Sequence, residues 1–269
     1  MTREKRPTPS ARIAELCVEF KLPTLGSQLC PRLLDAGFGD AIDVVAEVFE
    51  TEAHDRHDRR VERLRRASKL PPGKTFATLD ESKLPKLVLH KARELANGAF
   101  LEGGTNILCF GLPGRGKSHL ACAIAHALVE HGHSVLFVPT YQVVQDLLGA
   151  KRDLALPSML RKLDVFDAIV LDDIGYVQQS ADEAEVLFTL LAERYERRSM
   201  IITSNLVFSQ WERIFKNPLS TAAAIDRLVH HSVILEFDNA SVRADEAEKR
   251  MKAAIKPSRG TKHEERSEA

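Results

Sequence analysis

The sequence predicts a three-layer α/β fold, with helices on both faces of a five-stranded parallel sheet and a small all-helical unit before it. Three observations support this prediction. Short apolar runs alternate with segments of helical periodicity, a glycine-rich motif follows the first run, and paired carboxylates follow the third. The apolar runs are residues 107–110, 135–138, 168–171, 200–203 and 233–237.

The amino-terminal unit is predicted from residues 11–67, where apolar side chains recur at three-four spacing. Gly26 and Pro31 are expected to interrupt its middle, and one long helix is expected from about Asp40. Pro71-Pro72-Gly73 predicts a linker after that helix.

Further helices are predicted from the spacing of apolar residues. A helix over 81–97 is expected to turn Leu84, Leu87, Val88 and Leu95 inward and to stop at Gly98. Helices between the strands show one apolar stripe each. The stripes are Leu120, Ile124, Ala127 and Leu128; Tyr141, Val144 and Leu148; Val186, Leu190 and Leu191; and, in the helix 221–230, Ala222, Ile225, Leu228 and Val229.

Composition sets the domain organisation. A chain of 269 residues with 44% hydrophobic content has room for one large domain and a smaller unit. We expect a helical domain over 1–70, a nucleotide-hydrolysing domain over 71–243 and a charged tail over 244–269. No apolar run of about 18 residues and no signal-like amino terminus is present, so we expect a cytoplasmic protein with no membrane partner.

The four cysteines form no CxxC pair and have no histidines at metal-ligand spacing. Neither a disulfide framework nor a cysteine zinc site is therefore expected. Buried, unreactive thiols are the better interpretation of Cys17, Cys30, Cys109 and Cys122.

Charge is balanced overall, with 38 basic and 38 acidic residues, but it is unevenly distributed. Residues 54–69 hold seven Lys/Arg against three Asp/Glu. This run is either a surface for DNA phosphates or a solvated helix face, and the segment around Lys151-Arg152 is an equal candidate for DNA contact. The basic candidates in the run are Arg59, Arg60, Arg63, Arg65 and Arg66.

The segment 111–118 reads GLPGRGKS, a phosphate-binding loop between a strand and a helix. Its glycines let backbone N–H groups converge on phosphate, and the helix start adds positive potential. Lys117 supplies a cation for the outer phosphates, and Ser118 supplies a hydroxyl for Mg²⁺. We expect ATP to contact Gly111, Pro113, Gly114, Arg115, Gly116, Lys117, Ser118 and His119.

Asp172 and Asp173 directly follow the third apolar run. Paired carboxylates after a strand are often only a solvated turn or a helix cap. About fifty residues after a phosphate-binding loop, they instead favour a hydrolytic site. Asp172 is then expected to hold Mg²⁺ through its water shell, and Asp173 to orient and deprotonate the attacking water.

Two further polar residues have open interpretations. Asn205, after the fourth strand, either senses the γ-phosphate and the attacking water or caps the next helix. Arg227, near the polar flank of the helix 221–230, either reaches the active site of a neighbouring subunit or pairs with a nearby carboxylate. Arg197 and Arg198 are weaker candidates for the same interface.

Four motifs together, GLPGRGKSHLA, IVLDDIGY, IITSN and AAIDRLVHHS, resemble the IstB-like helper ATPases of bacterial insertion sequences, relatives of the helicase loader DnaC. The resemblance covers residues 22–243 and implies an AAA+ fold with strand order 5-1-4-3-2. By this match Lys117 and Ser118 belong to Walker A, Asp172 and Asp173 to Walker B, Asn205 is sensor 1, and Arg227 is the arginine that acts in trans.

The resemblance also implies ATP and Mg²⁺ as cofactors, with catalytic roles for Lys117, Asp173, Asn205 and Arg227. Its implied partners are double-stranded DNA, the transposase of the same element and further copies of the chain, in a ring or filament. The main alternative is a helicase loader that acts on single-stranded DNA. A small-molecule kinase and an inactive nucleotide-gated scaffold are less favoured, the former because no acceptor-binding segment follows the fifth strand.

Overall fold

The computed structural model describes residues 7–175, 180–207, 210–215 and 218–238, so the predicted tail over 244–269 lies outside the described residues. The chain divides into two compact units, residues 1–66 and 67–269. The helices are α1 (Pro9–Glu19), α2 (Pro23–Asp35), α3 (Ala41–Ser68), α4 (Lys86–Leu95), α5 (Lys117–Glu130), α6 (Thr140–Arg152), α7 (Leu156–Asp164), α8 (Ala181–Arg194), α9 (Glu212–Phe215) and α10 (Pro218–Val229). The strands are β1 (Asn106–Gly111), β2 (Val135–Pro139), β3 (Ala168–Ile174), β4 (Ser199–Ser204) and β5 (Ser232–Phe237).

The first unit contains α1, α2 and most of α3, with a small core that includes Ile13 and Ile42. The expected break at Gly26 and Pro31 is wrong, because α2 runs through both residues. Gly26 instead lets two helices approach closely, since an added Cβ would lie 2.8 Å from the Cβ of Cys17 in α1. Packing here outweighs the low helix propensity of glycine and proline. The long helix expected from about Asp40 is confirmed as α3.

The five strands form one parallel sheet in the order β2-β3-β4-β1-β5, which confirms the predicted sheet and its strand order. All five apolar runs fall within these strands. The pairing of β3 with β4 shifts between Leu171 and Ile174, so the end of β3 departs from regular register. This irregularity lies at Asp172, the predicted metal ligand, and Asp173, the predicted catalytic base.

The helices around the sheet follow the predicted order, but some predicted inward faces are wrong. Leu87 and Tyr141 are 67% and 61% exposed, whereas Val143 is buried. Apolar spacing in a short helix fixes the buried stripe only to within about one position. The helix predicted from residue 81 begins at Lys86, because Pro85 disfavours helical geometry in the residue before it. None of the described helices is long and apolar enough to cross a bilayer.

The thiols of Cys109 on β1 and Cys122 on α5 are fully buried. Burial raises the pKa of each thiol to about 12. Since the thiolate is the nucleophile, both groups are expected to resist N-ethylmaleimide at about pH 8 in the folded protein and to react after unfolding. Peptide mass spectrometry checks this prediction. Rapid labelling of either thiol in the folded protein would contradict it.

Candidate nucleotide site

The glycine-rich loop starts where β1 ends, at the carboxyl edge of the sheet. Gly111 has φ 152°, and an added Cβ would lie 2.5 Å from the carbonyl oxygen of Phe237 at the end of β5. Gly116, with φ 93°, directly precedes α5. Only glycine adopts both conformations without strain, so the sequence fixes the course of the loop.

The amino terminus of α5 has no side-chain hydrogen bond capping it, so its first N–H groups point into the loop. Lys117, the first residue of α5, is 5% exposed, and its Nζ donates to the carbonyl oxygen of Leu112 at 3.0 Å. Ser118 follows and is half-buried. Helix N–H groups and an adjacent ammonium form an anion site, because both present positive charge to the same space.

Asp172, at the end of β3, is half-buried and held by two threonines. The hydroxyl of Thr203 on β4 donates to Asp172 Oδ1 at 2.7 Å, and that of Thr140 on α6 donates to its main-chain carbonyl at 2.9 Å. Neither threonine was predicted from the sequence to contribute to this site. Thr203 stands in the quoted motif IITSN, directly before Ser204-Asn205, and a hydroxyl at a buried strand end was the available signal.

Asp173 is exposed and adopts a left-handed backbone conformation, with φ 58°. Its backbone N–H donates to the hydroxyl of Thr203 at 2.8 Å. Thr203 therefore links the carboxylate of Asp172 to the backbone of Asp173, since its hydroxyl donates to the first and accepts from the second. The strain of a left-handed non-glycine residue is tolerated where the surrounding contacts fix it, a situation typical of functional sites.

Asn205 directly follows β4, which lies between β1 and β3. It therefore lies between the strand that leads to the glycine-rich loop and the strand that ends in the carboxylates. Its Oδ1 is buried and has no hydrogen-bond partner within the described residues. Among those residues the next α-helix begins at Glu212, so the interpretation of Asn205 as its N-cap is wrong. An unsatisfied buried acceptor is rare and favours a role in binding.

Arg227 lies in the last turn of α10, and its guanidinium stacks over the ring of Phe188 on α8, 4.8 Å from the centroid. Its Nη1 is buried with no hydrogen-bond partner in the described part of the chain. The alternative interpretation, a solvated arginine paired with a carboxylate, finds no support in these contacts. Arg227 instead has donor capacity that the described contacts do not use.

Two other residues that were predicted to contact ATP, Arg115 and His119, form contacts within the protein. Arg115 Nη1 donates to the carbonyl oxygen of Phe237 at 3.2 Å, so this side chain ties the loop to β5. His119 Nε2 lies 3.0 Å from the carbonyl oxygen of Thr75, in the segment before α4. The predicted contacts of Arg115 and His119 with ATP stay predictions.

The weaker candidates for an intersubunit arginine are also paired. Arg197 contacts Asp164 at 2.6 Å, and Arg198 contacts Asp167 at 2.8 Å. Both pairs lie in the turns that precede β3 and β4, at the opposite edge of the sheet from the glycine-rich loop. Both arginines are therefore already engaged by carboxylates of their own chain, unlike Arg227.

Comparison with known proteins identifies the chain. The model of the IstB-like ATP binding protein family matches residues 35–250. The chain is 42% identical over 237 residues to an insertion-sequence ATP-binding protein of Sinorhizobium fredii, covering 87% of this chain and 79% of that protein. It is 37% identical over 201 residues to the ATP-binding protein of insertion sequence IS21 from Pseudomonas aeruginosa, covering 75% and 76%.

Among solved structures, DnaI aligns with TM-score 0.52 at 22% identity, covering 63% of this chain and 95% of that one. This likeness supports the fold, a five-stranded parallel sheet with a phosphate-binding loop after β1. The matched family segment contains the glycine-rich loop, both carboxylates, Asn205 and Arg227. On these grounds, the chain belongs to the IstB-like family of insertion-sequence ATP-binding proteins.

Proposed function

We propose that this protein is an ATP-dependent transposition helper that assembles on duplex DNA and hydrolyses ATP. Hydrolysis then regulates the choice of target site and the recruitment of the element's transposase. One observation carries the proposal: an anion-binding loop and a pair of carboxylates share one sheet edge in a chain of the insertion-sequence ATP-binding family. The proposed domains are a helical domain over 1–70 and an ATPase domain over 71–243, followed by the tail.

The backbone of the loop 111–118 is proposed to bind the phosphates, with Lys117 on the β- and γ-phosphates. Lys117 Nζ exchanges its hydrogen bond to Leu112 for phosphate oxygens when ATP binds. Ser118 and Asp172 present oxygen donors, which suit Mg²⁺. Mg²⁺ bound there would neutralise part of the negative charge of the phosphates. Thr203 orients Asp172 for this role through the 2.7 Å hydrogen bond.

Hydrolysis is proposed to depend on Asp173 and Asn205. The exposed Asp173 carboxylate accepts a proton from the attacking water, which makes the water a better nucleophile toward the γ-phosphate. The buried Oδ1 of Asn205 accepts a hydrogen bond from the same water and so orients it. The products are ADP and inorganic phosphate, and the proton leaves through Asp173 to solvent.

Arg227 is proposed to complete the site of a neighbouring copy of the chain. Charge develops on the transferred phosphoryl group, and an arginine supplied across an interface stabilises it. Its Nη1 has no hydrogen-bond partner among the described residues, so turning the side chain toward a neighbour breaks no hydrogen bond of that atom. Because the site is incomplete without the neighbour, ATP binding and assembly on DNA are coupled.

DNA contact is proposed for the basic face of α3. Arg59 pairs with Glu52, and Arg65 and Arg66 pair with Glu62, all between exposed side chains. Such pairs are weak, so phosphates compete with them easily. At the alternative surface Lys151 is paired in the same way, with Glu185 at 2.8 Å and Asp182 at 3.5 Å, so the larger number of arginines on α3 is what favours that helix.

Duplex binding is expected to weaken steeply with salt, because each neutralised phosphate releases counterions. For each phosphate contact, a tenfold rise in salt concentration lowers the logarithm of the binding constant by about 0.9. Replacing Arg59 and Arg63, which share a helix face, with glutamine is expected to reduce this slope by up to about two. Filter binding between low and moderate salt measures the slope.

Arg93→Gln is the matched control, since this exposed arginine pairs with Glu81 and lies on α4, in the other unit of the chain. Its slope is expected to equal that of the unchanged protein. A titration with no salt dependence would contradict phosphate-led binding. Tighter binding to single-stranded than to duplex DNA would favour the helicase-loader alternative over the transposition helper.

A further inference from the structure

Three potential metal ligands meet at the edge of the sheet opposite the glycine-rich loop. Glu196 lies in the turn before β4, and His230 and His231 lie in the turn before β5. Glu196 Oε1 lies 3.5 Å from His231 Nε2 and 3.8 Å from His230 Nδ1. One ligand atom from each residue falls within 4.8 Å of the other two, and all three side chains are exposed.

The turn that carries Glu196 is held in place by the buried Arg194. Its guanidinium donates to the carbonyl oxygens of Leu163 at 3.0 Å and Ser199 at 3.0 Å. Glu196 itself adopts φ 57°, a conformation that non-glycine residues rarely adopt. The fold therefore sets the backbone position from which the Glu196 side chain extends.

The two imidazoles are also oriented. Their ring centroids lie 4.2 Å apart in an edge-on arrangement, so each ring limits the rotation of the other. The hydroxyl of Tyr195 lies 3.0 Å from His230 Nδ1. One lone pair of Nδ1 cannot both accept a hydrogen bond and bind a metal, so ligation through this atom requires the Tyr195 hydroxyl to turn away from it.

We infer that Glu196, His230 and His231 bind a divalent transition-metal ion, for which Zn²⁺ is the best match. Tetrahedral zinc with bonds of about 2.0–2.2 Å separates its ligand atoms by roughly 3.3–3.6 Å. The two carboxylate–imidazole distances approach this separation already, so small side-chain rotations complete the site. Three protein ligands leave a fourth position for water.

This site differs in place and chemistry from the proposed Mg²⁺ site. The two sites lie at opposite ends of the strands, and the six residues of β1 span roughly 20 Å between them. Two imidazoles and one carboxylate suit zinc, copper or nickel, whereas Mg²⁺ prefers oxygen ligands. Occupation by Mg²⁺ at the cellular concentrations that accompany ATP is therefore not expected.

A bound metal would cross-link the turn between α8 and β4, through Glu196, to the turn between α10 and β5, through His230 and His231. These two helices already meet where Arg227 of α10 stacks on Phe188 of α8. Since the ligand residues follow α10 directly, the ion would restrain the end of the helix that carries Arg227. The expected consequence is a higher melting temperature, because the ion binds the folded chain in preference to the unfolded one.

Isothermal titration of the metal-free full-length chain with zinc chloride, without nucleotide, tests the inference. Nucleotide is left out because its phosphates also bind divalent cations. We expect one zinc ion per chain. His231→Ala and Glu196→Gln should each weaken binding by at least roughly tenfold, since each removes one of three ligands. Both side chains are exposed, so the fold should persist in both variants.

His90→Ala is the matched control, because exposed His90 has one carboxylate nearby, Glu94 at 3.5 Å, and no second histidine in a ligand cluster among the described residues. It should bind zinc as the unchanged protein does. Zinc should also raise the melting temperature of the unchanged protein but not of His231→Ala. Absence of binding, or equal binding by the unchanged protein and both ligand variants, would overturn the inference.

Discussion

Replacing Asp173 with asparagine is expected to leave ATP binding intact and to lower hydrolysis by a factor of about 10²–10⁴, the usual contribution of a general base. Asparagine has the same shape as aspartate but cannot accept the proton of the attacking water. The backbone N–H of residue 173, which donates to Thr203 at 2.8 Å, is unchanged by the substitution. Phosphate release and equilibrium binding of a fluorescent ATP analogue measure the two effects.

Asp182→Asn is the matched control for this prediction. Asp182 is also exposed, and it lies at the start of α8, where it contacts Lys151 at 3.5 Å. Its replacement should leave turnover unchanged. Unchanged turnover in Asp173→Asn would reject Asp173 as the base, whereas loss of ATP binding in that variant would assign it to ligand binding.

Replacing Arg227 with alanine is expected to lower DNA-stimulated hydrolysis by a factor of about 10³–10⁵, the effect of removing an arginine that stabilises phosphoryl transfer. ATP binding by the isolated chain should persist, because the arginine acts on the site of a neighbour. The loss of the stacking contact on Phe188 is a smaller effect on stability. Arg197→Ala, which removes an arginine paired with Asp164, should retain activity.

A mixing experiment separates action in trans from action within one chain. Arg227→Ala subunits keep an intact Asp173, and Asp173→Asn subunits keep an intact Arg227. When both are mixed with ATP and duplex DNA, some interfaces combine the two intact residues, so part of the activity should return. A mixture as inactive as either variant alone would contradict the proposed intersubunit role.

The nucleotide site was largely predictable because its signals are local. The loop 111–118 and the carboxylates Asp172 and Asp173 are contiguous motifs, and each follows an apolar strand. Parallel strands carry such segments to one edge of the sheet, so their proximity followed from the fold class. The roles of individual residues stay predictions, since they depend on ligands and neighbouring chains.

What the sequence did not reveal depends on tertiary contacts. A threonine is common at strand ends, so the hydroxyl of Thr203 could not be assigned to the Asp172 carboxylate and the Asp173 backbone N–H before the β3–β4 register was known. The course of α2 through Pro31 depends on its packing against α1. Glu196 is more than thirty residues from His230 in sequence, and only the sheet brings them together.

A structure of the protein with Mg²⁺ and a non-hydrolysable ATP analogue tests the central claim most directly. We expect the triphosphate to lie on the backbone amides of residues 113–118. Its terminal phosphate should face Asp173 and Asn205, with Lys117 Nζ moved from Leu112 onto phosphate. An analogue bound elsewhere, or a glycine-rich loop that stays empty at saturating analogue, would contradict the account.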